Sequence, residues 1–210
     1  MPSPPATTIM IIRHAEKPPE PPASPPPFGV TPAGIQDDHS LSVRGWQRAG
    51  ALVGVFAPPL GQSPRPPLVT PDHIYAFKID GERDHPHDAV GAPIGSKGKR
   101  AQQTVAPLVA KLGARVACDF TFDKGDEAAM IASAMRHHGA VLICWEHHNM
   151  PLITRQMPVA SDTPMPSAWP LDAQGIGRFD VVWLFVYDAA ADAYRFGQVA
   201  QLLLMGDLPV

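Results

Sequence analysis

The chain has 210 residues, of which 45% are hydrophobic and 18% charged, with a net charge of −3. That is enough apolar material for one domain with a sizeable core and too balanced a composition for a disordered chain. The slightly acidic total excludes wholesale attraction to nucleic acid or a membrane surface, so any anion site has to be a local cluster of basic groups.

No stretch reaches the ~20 apolar residues of a membrane span. The first eight residues carry neither a basic group nor a long apolar run, so no secretory signal is expected. The two cysteines, Cys118 and Cys144, both fall in apolar, strand-like stretches. A pair of buried thiols suits a reducing compartment, and the expected location is the cytoplasm. Many of the 26 prolines crowd into residues 18–32, 58–71 and 158–170. These stretches read as stiff, extended connections.

Ile9-Met10-Ile11-Ile12 is a short apolar run that stops at Arg13-His14-Ala15-Glu16-Lys17. It reads as a buried strand that delivers Arg13 and His14 to its carboxyl end, where open α/β sheets bind ligands. A proline-rich loop, 17–38, follows and is placed on the pocket rim. A helix is expected from Leu41 through Val53, capped by Ser40 or Ser42 and ended by Pro58 and Pro59.

His73 to Phe77 reads as a short strand. Residues 78–95 are polar and read as an exposed loop or lid; its His85 and His87 lie at no recognised metal-ligand spacing. A helix opens near Arg100 and runs towards Leu112, with Pro107 in or near its first turns. Residues 116–122 suggest a strand, and residues 127–138 a helix capped by Asp126. Ala140 to Trp145 is a second buried strand, ending in Glu146-His147-His148-Asn149. Residues 179–187 and 194–204 read as a hairpin around a polar turn at 188–192. No repeat or composition break marks a second domain, so residues 1–210 are expected to form one.

Arg13, His14, Arg100 and His147 all stand at strand ends or a helix start. Gathered at one point they would supply two guanidinium groups and two imidazoles, a set that suits a phosphoryl group. Ser96, Arg100 and Thr104 share one helical face.

In these stretches the sequence resembles the histidine phosphatase superfamily, the phosphoglycerate-mutase-like clan. Arg13-His14-Ala15-Glu16 is similar to that family's Arg-His-Gly signature. Leu41 through Ala49 resembles its leucine-threonine, glycine, alanine helix. Tyr75-Ala76 followed by Ser96, Arg100 and Thr104 resembles its serine, arginine, threonine block, split here by an insertion. Ile143 through His147, Asn149 and Pro151 resembles the strand of its second histidine.

The resemblance implies an α/β fold, a three-layer α/β/α sandwich with a mostly parallel central sheet and a C-terminal β-hairpin. It implies a metal-independent, cofactor-free hydrolase acting on a small phosphomonoester. His14 would be the nucleophile, and Arg13, Arg100 and His147 would bind the phosphoryl oxygens. Glu16 and Ser96 would join them in substrate binding. A nucleophilic imidazole must be neutral, so its other nitrogen should donate to a fixed acceptor.

The sequence departs from the pattern in three places. Ala15 replaces the glycine, residues 78–95 are inserted, and His148 follows the second histidine where one branch has its acidic residue. Asp123 is the expected general acid by position, with Asp126, Glu127 and Glu146 behind it. Two other readings compete. One is an idle phosphate-binding or partner-binding protein on the same fold; the other is a metallohydrolase using Glu16, His147 and His148.

Overall fold

A computed structural model of the chain describes residues 6–19, 27–80 and 98–210. The expected lid at 78–95 therefore falls mostly outside the described residues, as do His85, His87 and Ser96.

The elements in chain order are β1 (Thr8–Arg13), α1 (Val43–Phe56), β2 (His73–Ala76) and α2 (Arg100–Leu112). They continue with β3 (Ala117–Asp119), α3 (Glu127–Ala134), β4 (Ala140–Trp145), α4 (Met150–Thr154), β5 (Val181–Asp188) and β6 (Ala193–Ala200). The six strands form one sheet in the order β3-β2-β4-β1-β5-β6. The pairs β1–β4, β2–β4 and β2–β3 are parallel, while β1–β5 and β5–β6 are antiparallel. The fold is thus α/β, a three-layer sandwich on a mostly parallel sheet that closes with the C-terminal hairpin.

The sheet centre follows from its sequence. All six residues of β4 are buried, and so are the last five of β1. A strand covered on both faces reads as a continuous apolar run rather than an alternating one, as Ile9 to Ile12 and Ala140 to Trp145 do. Burying each large aliphatic side chain there contributes about 1.5–3 kcal/mol. Helix α1 packs against α2, and α3 against α4.

Ser42 caps α1 by accepting from the Gly45 amide at 3.2 Å. Gly45 is required by packing: a Cβ there would stand 2.3 Å from the Glu16 carbonyl oxygen. The absent side chain lets α1 lie against the residues that follow β1.

Several boundaries differ from expectation. Pro107 lies two turns inside α2 rather than near its start. Helix α3 ends at Ala134, four residues early. His137 instead stacks on His73, with centroids 3.7 Å apart, and its Nε2 lies 2.6 Å from the Tyr75 hydroxyl. The strand expected over 116–122 narrows to Ala117–Asp119, because the Asp119 carboxylate captures both the amide and the hydroxyl of Thr121. The last strand stops at Ala200: Gln201 donates its amide to the Asp180 carbonyl, and Leu202 turns the chain at φ 53°. Cys118 is exposed rather than buried, because β3 is the sheet edge; Cys144 is buried, and burial pushes its thiol well up. Among the described residues, no helix is long and apolar enough to cross a membrane.

Candidate active site

The parallel register sets Arg13 opposite Trp145, and the His14 amide donates to the Trp145 carbonyl at 3.1 Å. His14 is therefore tied to the carboxyl end of β4, and Glu146 and His147 leave the sheet at the same level. One residue on, the Ala15 amide donates to Thr104 Oγ1 at 2.8 Å, and that hydroxyl donates to the Arg100 carbonyl at 2.7 Å. The first turns of α2 are thereby docked on the residues after β1. Arg100 itself donates to the carbonyl oxygens of Asp38 and Ser40. Gln103 holds the same segment through the Leu41 amide and the Ser40 hydroxyl. Two strand ends and one helix start thus converge on His14.

His14 is 4% exposed, and its Nδ1 lies 2.8 Å from the Ala15 carbonyl oxygen. A carbonyl can only accept, so Nδ1 carries the proton and Nε2 the lone pair. Burial holds the imidazole well below its ordinary value of 6.5, and the charges of Arg13 and Arg100 lower it further. The ring is neutral at physiological pH.

Arg13 is 1% exposed. Its guanidinium carbon sits 3.8 Å from the Phe179 ring centroid, and its Nη1 donates to the Gly177 carbonyl. Burial lowers its pKa to about 10, against the opposing pull of Glu146 and Glu16, so it remains a cation. Its Nε is buried and has no hydrogen-bond partner among the described residues.

His147 meets Arg13 at the backbone of Gly177. A Cβ on that glycine would lie 2.5 Å from His147 Cδ2, 2.9 Å from its Nε2 and 3.0 Å from Arg13 Nη1. Burial, then the charge of Arg13, depresses the His147 imidazole to about 4. Beyond it opens a groove of about 480 Å³, bounded by His148, Leu152, Arg155, Trp169 and Leu171. The residues at this end of the sheet can therefore present one nucleophilic nitrogen beside two guanidinium groups, with a second neutral imidazole next to one of them.

The remaining predicted residues divide. Both Glu16 oxygens are occupied by Arg48, with contacts of 2.8–3.1 Å, and Arg44 adds a bond at 3.2 Å. The carboxylate is thus spent on α1 and not turned to a ligand. Asp123 lies in the turn after β3, with Lys78 Nζ at 3.5 Å; its Oδ1 is buried and accepts no hydrogen bond. The other carboxylates considered as acids are engaged. Glu127 accepts from Trp145 Nε1, Asn149 Nδ2 and the Gly125 amide. Glu146 pairs with Lys124, and that cation outweighs the upward push of burial to hold its pKa low. Asp126 accepts from the Asp123 amide.

Sequence reasoning missed Gly177 and Phe179. Phe179 opens the stretch read as a strand over 179–187, and Gly177 precedes it with no local pattern of its own. Arg13, which meets both, is 164 residues away from Gly177. The metal reading also changes its carboxylate: Glu146, not Glu16, stands with His147 and His148.

No protein-family model and no curated protein matches the chain. Among solved structures it is similar to a candidate phosphohistidine phosphatase, SixA, from Agrobacterium tumefaciens. The two are 14% identical with a TM-score of 0.47, and the alignment covers 92% of this chain and 98% of that one.

Proposed function

We propose that the chain is a phosphatase of the histidine phosphatase type, hydrolysing a small phosphomonoester through a phosphohistidine on His14. The observation that carries the reading is the state of His14: a buried, neutral imidazole with Nδ1–H fixed on the Ala15 carbonyl, leaving the Nε2 lone pair beside the Arg13 cation. An imidazolium could not attack phosphorus, and a freely rotating ring would not aim at it.

In this reading the His14 Nε2 lone pair forms a bond to phosphorus as the ester P–O bond breaks. The leaving oxygen takes a proton from Asp123. Water then attacks the phosphohistidine and gives a proton back to Asp123, and the N–P electron pair returns to Nε2. Arg13, Arg100 and His147 hold the phosphoryl oxygens and offset charge in the transition state, a contribution of ~3–4 kcal/mol per well-placed donor. Arg13 exchanges the Gly177 carbonyl for phosphate, and its unpartnered Nε gains an acceptor. The groove beyond His147 takes the leaving group. Residues 1–210 act as one domain in this account, and no resident metal takes part.

The test is hydrolysis of para-nitrophenyl phosphate in the presence of a chelator. Wild type should turn it over, and His14→Ala should lose at least 1,000-fold. A wild-type protein that binds phosphate without hydrolysing it would instead be an idle binding protein on this fold.

A further inference from the structure

The turn between β4 and α4 carries Glu146, His147 and His148. One ligand atom from each lies within 4.8 Å of the others. The turn is held at both ends. Trp145 Nε1 and Asn149 Nδ2 both donate to the buried Glu127 carboxylate, at 2.9 and 2.6 Å, and the Asn149 amide closes on the Glu146 carbonyl at 3.0 Å. Ligands on a turn fixed in this way need little ordering to bind.

Two observations point to a ligand. His147 Nδ1 is buried with no hydrogen-bond partner among the described residues. The His147 and His148 ring centroids approach to 3.8 Å at an interplanar angle of 39°, yet no hydrogen bond joins the two rings. A buried acceptor without a donor costs free energy that a cation would recover. Lys124 occupies Glu146 Oε2, which leaves Oε1 to act as a single-oxygen ligand. His148 is exposed and gives an ion its route in.

We propose that Glu146, His147 and His148 form a binding site for a divalent transition metal of the Zn²⁺ type. Two imidazoles and one carboxylate are borderline donors that suit such an ion; magnesium and calcium prefer all-oxygen sets. Tetrahedral zinc with bonds near 2.0–2.1 Å sets its ligand atoms about 3.3 Å apart, a closure that rotation of the exposed His148 side chain can supply. Water completes the shell. A metal on Nδ1 would keep the His147 proton on Nε2, the nitrogen that lies against Gly177 on the Arg13 side. This site does not depend on the phosphatase reading, and metal is not needed for hydrolysis in that reading.

The experiment is calorimetric titration of chelator-treated protein with zinc chloride in phosphate-free buffer. One ion per chain should bind, and His148→Ala and Glu146→Gln should each weaken it at least tenfold. The metal-free melting temperature of His148→Ala should match wild type, because the residue is exposed; Glu146→Gln also removes the Lys124 ion pair, so its affinity is compared at a temperature where the variant is fully folded. A His85→Ala/His87→Ala variant should bind as wild type does, because Glu146, His147 and His148 supply the protein ligands of the proposed site. Absence of stoichiometric binding would overturn the proposal. So would unchanged affinity in His148→Ala, or loss of binding in the His85/His87 variant. Because binding is read as heat, an inactive enzyme would leave this result intact.

Discussion

Thr104 bridges Ala15 and Arg100. Its hydroxyl accepts the Ala15 amide at 2.8 Å and donates to the Arg100 carbonyl at 2.7 Å. One side chain thereby couples the residue after the proposed nucleophile to the start of the arginine helix. Thr104→Val keeps the volume and removes both bonds. Stability should fall by about 1–3 kcal/mol, because the Ala15 amide is left buried without an acceptor. If the bridge positions the site, kcat/KM should fall at least tenfold, even at temperatures where the variant is folded. Urea melts and steady-state kinetics on the same preparation separate the two effects.

Gly177 supplies a second test. Its missing side chain is the space where Arg13 and His147 meet. Gly177→Ala would force a methyl against both and should cost about 1–3 kcal/mol by overpacking. It should also weaken binding of inorganic phosphate at least tenfold, because the two donors can no longer share one oxyanion. Gly197→Ala, on β6 with no atom within 4 Å of the added methyl, is the matched control. Equal phosphate affinity in the two variants would remove Gly177 from the site.

Arg48 ties the site to the end of the chain. It is 2% exposed and bonds Glu16, Gln201 and Asp207. Arg48→Met leaves two carboxylates without their principal cation and should destabilise the fold by about 3–5 kcal/mol. A double-mutant cycle of Arg48→Met with Asp207→Asn should show the pair to be strongly coupled. Additive losses would mean that the network is incidental.

The acid side of the stability profile follows from downward shifts in two kinds of group. His14 and His137 are both held below 6.5, first by burial. As pH falls through 6.5 the unfolded chain takes up protons that the folded one refuses, so stability is complete above 6.5 and declines below it. Asp207 behaves differently. Burial pushes it up, but Arg48 and the Leu203 and Leu204 amides outweigh that and bring it from 3.8 to about 2. Its contribution is present above 3.8 and is lost as pH falls through 2. Urea midpoints should therefore drop between pH 6.5 and 5, before Asp207 titrates. His137→Phe should make that slope shallower. A flat profile from pH 7 to 5 would contradict the shifts.

The parts of the site that could be read from the sequence are those in which local pattern and tertiary position coincide. Ile9 to Ile12 and Ala140 to Trp145 are apolar throughout because both faces of their strands are covered. Their ends therefore announced Arg13, His14 and His147 as neighbours at the carboxyl end of the sheet. Thr104 followed from its helical spacing with Arg100. Glu16 could not be read in this way: whether a carboxylate beside a histidine faces a ligand or an arginine depends on Arg48 and Asp207, which lie 32 and 191 positions away. Gly177 carries no periodic signal, and only its long-range contacts reveal it. The early end of α3 has the same origin, since the ring partners of His137 come from β2 and outweigh helical propensity.

The central claim is that His14 accepts the phosphoryl group. Its most direct test is a rapid acid-free quench of the enzyme during turnover of a ³²P-labelled phosphomonoester, followed by peptide mapping. The account predicts an acid-labile, alkali-stable phosphoramidate on His14, formed and discharged at rates that sustain turnover and absent from His14→Ala. Label on any other residue, or full hydrolysis by His14→Ala, would contradict it.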